Sequence, residues 1–80
     1  MNKDIYLKAL QLEREGKWDH AHRLIQSYYS MEACWIHAYL HRIEGDLGNA
    51  GYWYGQAGKN IPGYDLDKEW QELFKYMENL

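Results

Sequence analysis

The stretch AYLHRIEGDLGNA, residues 38–50, decides the fold of this chain, because an earlier stretch of the same kind, ALQLEREGKWDHA, occupies residues 9–21. In both, an alanine is followed by a glycine seven positions later and by a second alanine after five more, and the two copies are offset by 29 residues. A small residue lets two helices approach closely, and a glycine supplies the left-handed conformation that ends a helix. The spacing therefore predicts a helical hairpin that occurs twice.

The composition predicts that the rest of the chain is helical too. The 80 residues include no Val and no Thr, and helix-favouring residues such as Leu, Ala, Glu and Lys are frequent. Glycines and capping residues predict helices over about 3–15, 18–29, 31–44, 47–57 and 65–78. The expected N-caps are Asn2, Ser30, Asp46 and Asp65. Because the connections are short, we expect one all-α domain, an antiparallel stack of five helices.

The second copy resembles the tetratricopeptide (TPR) helical-hairpin repeat. Its matching positions are Ala38, Gly45, Asp46, Ala50, Tyr54, Ala57 and the closing Pro62. The first copy departs from the pattern, with Tyr28 in place of the last alanine and no proline after it. The resemblance implies TPR-like hairpins over about 3–29 and 31–60 with an altered superhelical geometry. The strings HAYLHR at 37–42 and YWY at 52–54 are also similar to those of a group of short bacterial proteins, a likeness that implies no activity, ligand or partner.

Two hairpins are few for a helical stack, because such repeats bury a continuous core only against their neighbours. The C-terminal helix carries apolar residues at helical spacing, namely Leu66, Trp70, Leu73, Phe74 and Met77. We expect this helix, about 65–78, to cap the stack by covering the fourth helix, which would give a monomer. A homodimer that covers the open end is the alternative.

The charge and cysteine content argue against several classes of protein. A formal net charge of −3 without a basic stripe argues against a nucleic-acid partner. No apolar run approaches about 18 residues, so we expect no membrane span. The first dozen or so residues lack a cationic segment followed by an apolar core, so we expect no secretory signal. A lone cysteine, Cys34, forms no internal disulfide and fits a reducing, cytoplasmic setting.

The TPR resemblance also implies a binding face on the first helix of each hairpin. By position it includes Tyr6 in the first copy and Trp35, Tyr39 and Arg42 in the second. The last three form one stripe of the third helix, at i, i+4 and i+7. Two aromatic surfaces and a guanidinium suit a peptide or a carboxylate. This predicts a small non-enzymatic interaction module with a protein or peptide partner, unless the fifth helix covers the stripe.

A second stripe of the third helix carries potential metal ligands. Cys34, His37, His41 and Glu44 lie at i, i+3, i+7 and i+10, and His22 on the second helix adds a nitrogen if it faces inward. The alternative function is therefore a zinc or nickel site, with a metal-bound water available for hydrolysis. The competing interpretation is a set of buried, neutral, hydrogen-bonded histidines, which requires no cofactor.

The sequence gives little evidence for catalysis without a metal. The chain has no HExxH, GxGxxG or P-loop string. Cys34 and His37 make a chemically sensible thiol–imidazole pair, but they lie in an apolar helical segment where a free cysteine is usually inert. A non-enzymatic function without a cofactor is favoured.

Overall fold

The computed structural model describes residues 2–80. These residues form five α-helices and no strand: α1 (Lys3–Arg14), α2 (Trp18–Ile25), α3 (Met31–Ile43), α4 (Leu47–Gln56) and α5 (Leu66–Glu78). The predicted all-α, five-helix fold is confirmed. α2 is a turn shorter than predicted, because residues 26–29 lead across to Ser30, whose extended backbone begins α3. No described helix has both the length and the apolar composition that a membrane crossing requires.

The two turn glycines and three of the four expected N-caps behave as their sequence positions predict. Gly16 and Gly45, which end α1 and α3, have φ angles of +81° and +80°. The amide that follows each glycine donates to the carbonyl five residues back, at 2.9 Å and 3.0 Å respectively. These bonds satisfy carbonyls that a helix end leaves free. The side chains of Ser30, Asp46 and Asp65 each accept a hydrogen bond from the amide three residues on, whereas Asn2 makes no capping bond.

α3 is the centre of the molecule. It packs against each of the other four helices, while α1 pairs with α2 and α4 pairs with α3. Every residue from Ala33 to His41 is buried. A helix that is buried on nearly all sides has few polar positions in its middle, as the uncharged run in this segment indicates. Any polar side chain on α3 must therefore find its partners inside the protein.

α5 packs against α1 and α3, not against α4, which corrects the expected position of the capping helix. The buried Trp70 indole N–H donates to the Leu10 carbonyl of α1 at 3.0 Å. Arg14 of α1 donates to Asp67 at 2.7 Å. The partners of α5 therefore lie on α1 and α3, and α5 reaches α4 only through side chains.

Candidate functional site

The stripe predicted to bind a partner is covered by α5. Trp35 and Tyr39 are 3% and 2% exposed, and Tyr6 is 5% exposed. The Arg42 side chain is 14% exposed. These four residues form no exposed face, so the expectation of an open binding surface is corrected and the alternative of a covered stripe is observed. The reason is that α5 lies along α1 and α3, the two helices that carry them.

The stripe does meet a carboxylate, but one that belongs to the same chain. Glu69 of α5 is fully buried. Its carboxylate accepts hydrogen bonds from the Arg42 guanidinium at 2.8 Å, the Trp35 indole N–H at 3.1 Å and the Tyr54 hydroxyl at 2.6 Å. A buried charge is unfavourable unless it is paired and hydrogen-bonded, and here it is both. The Glu69 network therefore holds α5 against α3, and the Tyr54 side chain of α4 joins the network.

Charge alone does not single out Glu69, because it and the exposed Asp67 equally suit the N-terminal end of α5. The signal that identifies Glu69 is its register. It lies three residues after Leu66 and four before Leu73, on the apolar face of the helix. A carboxylate on an apolar face predicts a buried partner, and Arg42 is that partner.

Two tyrosines of the covered surface also have partners within the chain. The Tyr39 hydroxyl donates to Glu13 of α1 at 3.3 Å, and the Tyr6 and Ser30 hydroxyl groups share a hydrogen bond of 2.6 Å. Burial raises the pKa of Tyr39 and that of Glu13. The polar groups of this surface are thus occupied by α1, α3 and α5 themselves.

Three histidines meet where α2 packs on α3. His22 of α2 and His37 and His41 of α3 each contribute a ring nitrogen to a group whose atoms all lie within 4.8 Å of one another. The Nε2 atoms of His22 and His37 are 3.1 Å apart. His37 and His41 are buried and His22 is half-buried, whereas the fourth histidine, His20, is exposed and lies outside the group. His22 therefore faces inward, as the predicted site requires.

Two tryptophans restrain the histidine rings. Trp18 stacks on His22 with ring centroids 4.9 Å apart, and Trp53 of α4 stacks on His37 at 4.1 Å. Trp18 is itself anchored, because its indole N–H donates to the Leu40 carbonyl at 2.7 Å. Neither tryptophan was among the predicted site residues. The four-residue spacing between Trp18 and His22, which places both on one helix face, is the signal that finds the first.

Glu44 and Cys34 lie outside the three-histidine group, although both were predicted ligands. Glu44 accepts a hydrogen bond from Nδ1 of His41 at 2.6 Å. Because an ionised carboxylate can only accept, the hydrogen of this bond lies on Nδ1, and a carboxylate in this position is typical of the outer partner of a metal-ligating histidine. The Cys34 thiol instead lies 3.7 Å from the Tyr29 carbonyl oxygen, and burial raises its pKa.

The environment of the cluster favours the neutral forms of His22 and His37. Burial, with His22 and His41 nearby, lowers the pKa of His37 to about 4. Burial, followed by the effect of His41, also lowers the pKa of His22. Neutral imidazole is the form that binds a metal ion, so protons compete weakly at these two rings near pH 7. Nδ1 of His37 is buried and has no hydrogen-bond partner in the part of the chain that the structure describes.

No protein-family model, curated protein or solved structure matches this chain. The resemblance to TPR hairpins accordingly stays a prediction. The fold and the site together define a small all-α protein with a restrained cluster of three imidazoles beside its central helix.

Proposed function

We propose that this protein binds a divalent transition-metal ion of the zinc type through His22, His37 and His41. The observation that carries the proposal is the convergence of three imidazole nitrogens within 4.8 Å of one another. Imidazole is a preferred ligand of Zn²⁺ and Ni²⁺. The function that the sequence offered as the alternative is thus the one that the geometry supports best.

The spacing of the nitrogens suits tetrahedral coordination. Zn–N bonds of about 2.0–2.1 Å place neighbouring ligand nitrogens roughly 3.3 Å apart in a tetrahedron. The His22 and His37 Nε2 atoms, 3.1 Å apart, already have nearly this separation. The widest separation in the group is no more than 4.8 Å, so closure of the site needs a movement of at most about 1.5 Å.

The contact between Glu44 and His41 favours a metal site over a purely structural cluster. The contact between His22 and His37 fits either one, because a single proton between their facing Nε2 atoms satisfies both rings. The Nδ1 atom of His37 has no partner among the described residues, and a metal ion at Nε2 would not change that. The Glu44 carboxylate, in contrast, orients His41 as the outer partner of a ligating histidine does.

Binding is proposed without hydrolysis. Three protein ligands leave a fourth tetrahedral position for water, and such a water has a lowered pKa. The two carboxylates that approach His41 are already engaged, however, because Glu44 accepts from His41 and Asp46 accepts from the Asn49 amide as the N-cap of α4. The three imidazoles can therefore hold a metal ion, and we propose no hydrolytic step.

Calorimetric titration of the metal-free protein with ZnCl₂ at pH 7 tests the proposal. We expect one ion per chain and a higher melting temperature. Linkage gives about 2.7 kcal/mol of stabilisation at a free metal concentration 100 times the Kd. For a domain of this size that corresponds to a rise of roughly 10–20 °C.

The matched variants lie on the same helix. His22→Ala removes a half-buried ligand and should weaken Zn²⁺ binding by more than about 100-fold, whereas His20→Ala removes an exposed histidine two residues away and should leave it unchanged. Glu44→Gln should weaken binding by about 10–100-fold. Absence of saturable heat and of a thermal shift with both Zn²⁺ and Ni²⁺ would overturn the proposal. Equal binding by the His22→Ala and wild-type proteins would do the same.

A further inference from the structure

An apolar groove lies between α1 and α2, and none of its residues belongs to the histidine cluster. It is an open surface depression of about 440 Å³ and is lined by Lys8, Leu12, His20, Arg23 and Leu24. Leu12 and Leu24 are half-buried, and the three basic side chains are exposed. The volume falls within the roughly 300–1,000 Å³ of binding sites. The groove therefore joins an apolar surface to a positively charged rim.

The two permanent cations of this groove, Lys8 and Arg23, make no ion pair in the described part of the chain, unlike Arg14, Lys17 and Arg42. The lining residues include no acidic side chain, whereas the chain as a whole has a formal net charge of −3. Unpaired cations beside apolar surface attract an anionic and partly apolar ligand.

We infer that this groove binds an acidic, amphipathic segment of another protein. The leucine-like side chains of such a segment would pack on Leu12 and Leu24. The carboxylates of the segment would pair with Lys8 and Arg23. The guanidinium of Arg23 suits a two-point contact with a carboxylate. A nucleic acid is the poorer fit, because the groove holds only two permanent cations and half-buried leucines. This surface differs from the covered Trp35 stripe and does not depend on metal binding.

Fluorescence anisotropy with a labelled peptide of Glu-Glu-Leu-Leu repeats tests the inference. The wild-type protein should bind this peptide saturably, and the affinity should fall as salt is added. Lys8→Glu/Arg23→Glu should weaken binding by at least about tenfold and should gain binding to the matched Lys-Lys-Leu-Leu peptide. Lys17→Glu/Lys75→Glu makes the same charge change at exposed positions outside the groove and should change the affinity less than about twofold.

Because Lys8 and Arg23 are exposed, both double variants should keep the helical circular dichroism of the wild type. The inference fails if the acidic peptide shows no saturable binding, or if the two double variants lose equal affinity. It also fails if a single-stranded oligonucleotide binds through Lys8 and Arg23 while the peptide does not. Concentration-dependent self-association of the protein that is lost in Lys8→Glu/Arg23→Glu would assign the groove to a second copy of the chain and overturn the inference.

Discussion

Replacing Arg42 by methionine removes the cation that pairs with the buried Glu69 carboxylate while keeping most of the aliphatic stem. Trp35 and Tyr54 would still donate to Glu69, but the carboxylate would carry an unpaired charge at a site with no solvent exposure. Breaking a buried ion pair by removing one partner costs about 3–5 kcal/mol. A chain of this length has a total stability of about 4–12 kcal/mol, so the variant should lose a large share of it.

Urea denaturation followed by far-ultraviolet circular dichroism at pH 7 measures this loss. Two further variants separate charge from packing. Lys17→Met removes an exposed cation that lies 3.5 Å from Glu15 and should not change the denaturation midpoint measurably. Glu69→Gln in the Arg42→Met background should restore part of the stability, because the amide carries no charge but still accepts hydrogen bonds.

A loss below about 1 kcal/mol would refute the reasoning, because that is the range of a solvent-screened surface pair. A larger loss that Glu69→Gln fails to relieve would show that Arg42 acts through packing.

Three further predictions concern the histidine cluster, the repeat turns and the thiol. In metal-free protein the free energy of unfolding should fall by at most about 3 kcal/mol as the pH drops from 6.5 to about 4, because the unfolded chain binds a proton that folded His37 does not; a flat urea series would contradict this. Gly16→Ala and Gly45→Ala should each cost about 1–2 kcal/mol, and the two losses should add in the double variant, because both turns need a positive φ. Cys34 should react with a thiol reagent only at the rate of unfolding, since it is buried and its pKa is raised, and rapid modification of the native protein would count against this.

The helices could be predicted because their ends are local. A positive-φ glycine such as Gly45 and a capping side chain such as Asp46 act within one turn of the chain, so the sequence is sufficient to place them. The position of α5 could not be predicted in this way. Its apolar face shows that it must be buried, but the partner of the Trp70 indole is a backbone carbonyl of α1, 60 residues away.

The site was predicted in part for a related reason. His37 and His41 are one turn apart on a helix, so their proximity follows from the sequence alone. The inward direction of His22 depends on how α2 rotates against α3, which the sequence left conditional. The covered stripe was ambiguous for a chemical reason, since Trp35 and Arg42 suit a carboxylate of a partner and a carboxylate of the same chain equally well.

The two polar faces of α3 differ in whether their polar groups all have hydrogen-bond partners within the chain. On one face, both oxygens of Glu69 have donors. This face is satisfied by the chain and has a stabilising role. On the other face, facing nitrogens of His22 and His37 share one proton, and a buried nitrogen of His37 has no partner among the described residues. The three imidazole nitrogens that converge on this face are the feature behind the proposed metal site, because imidazole is a preferred ligand of transition-metal ions.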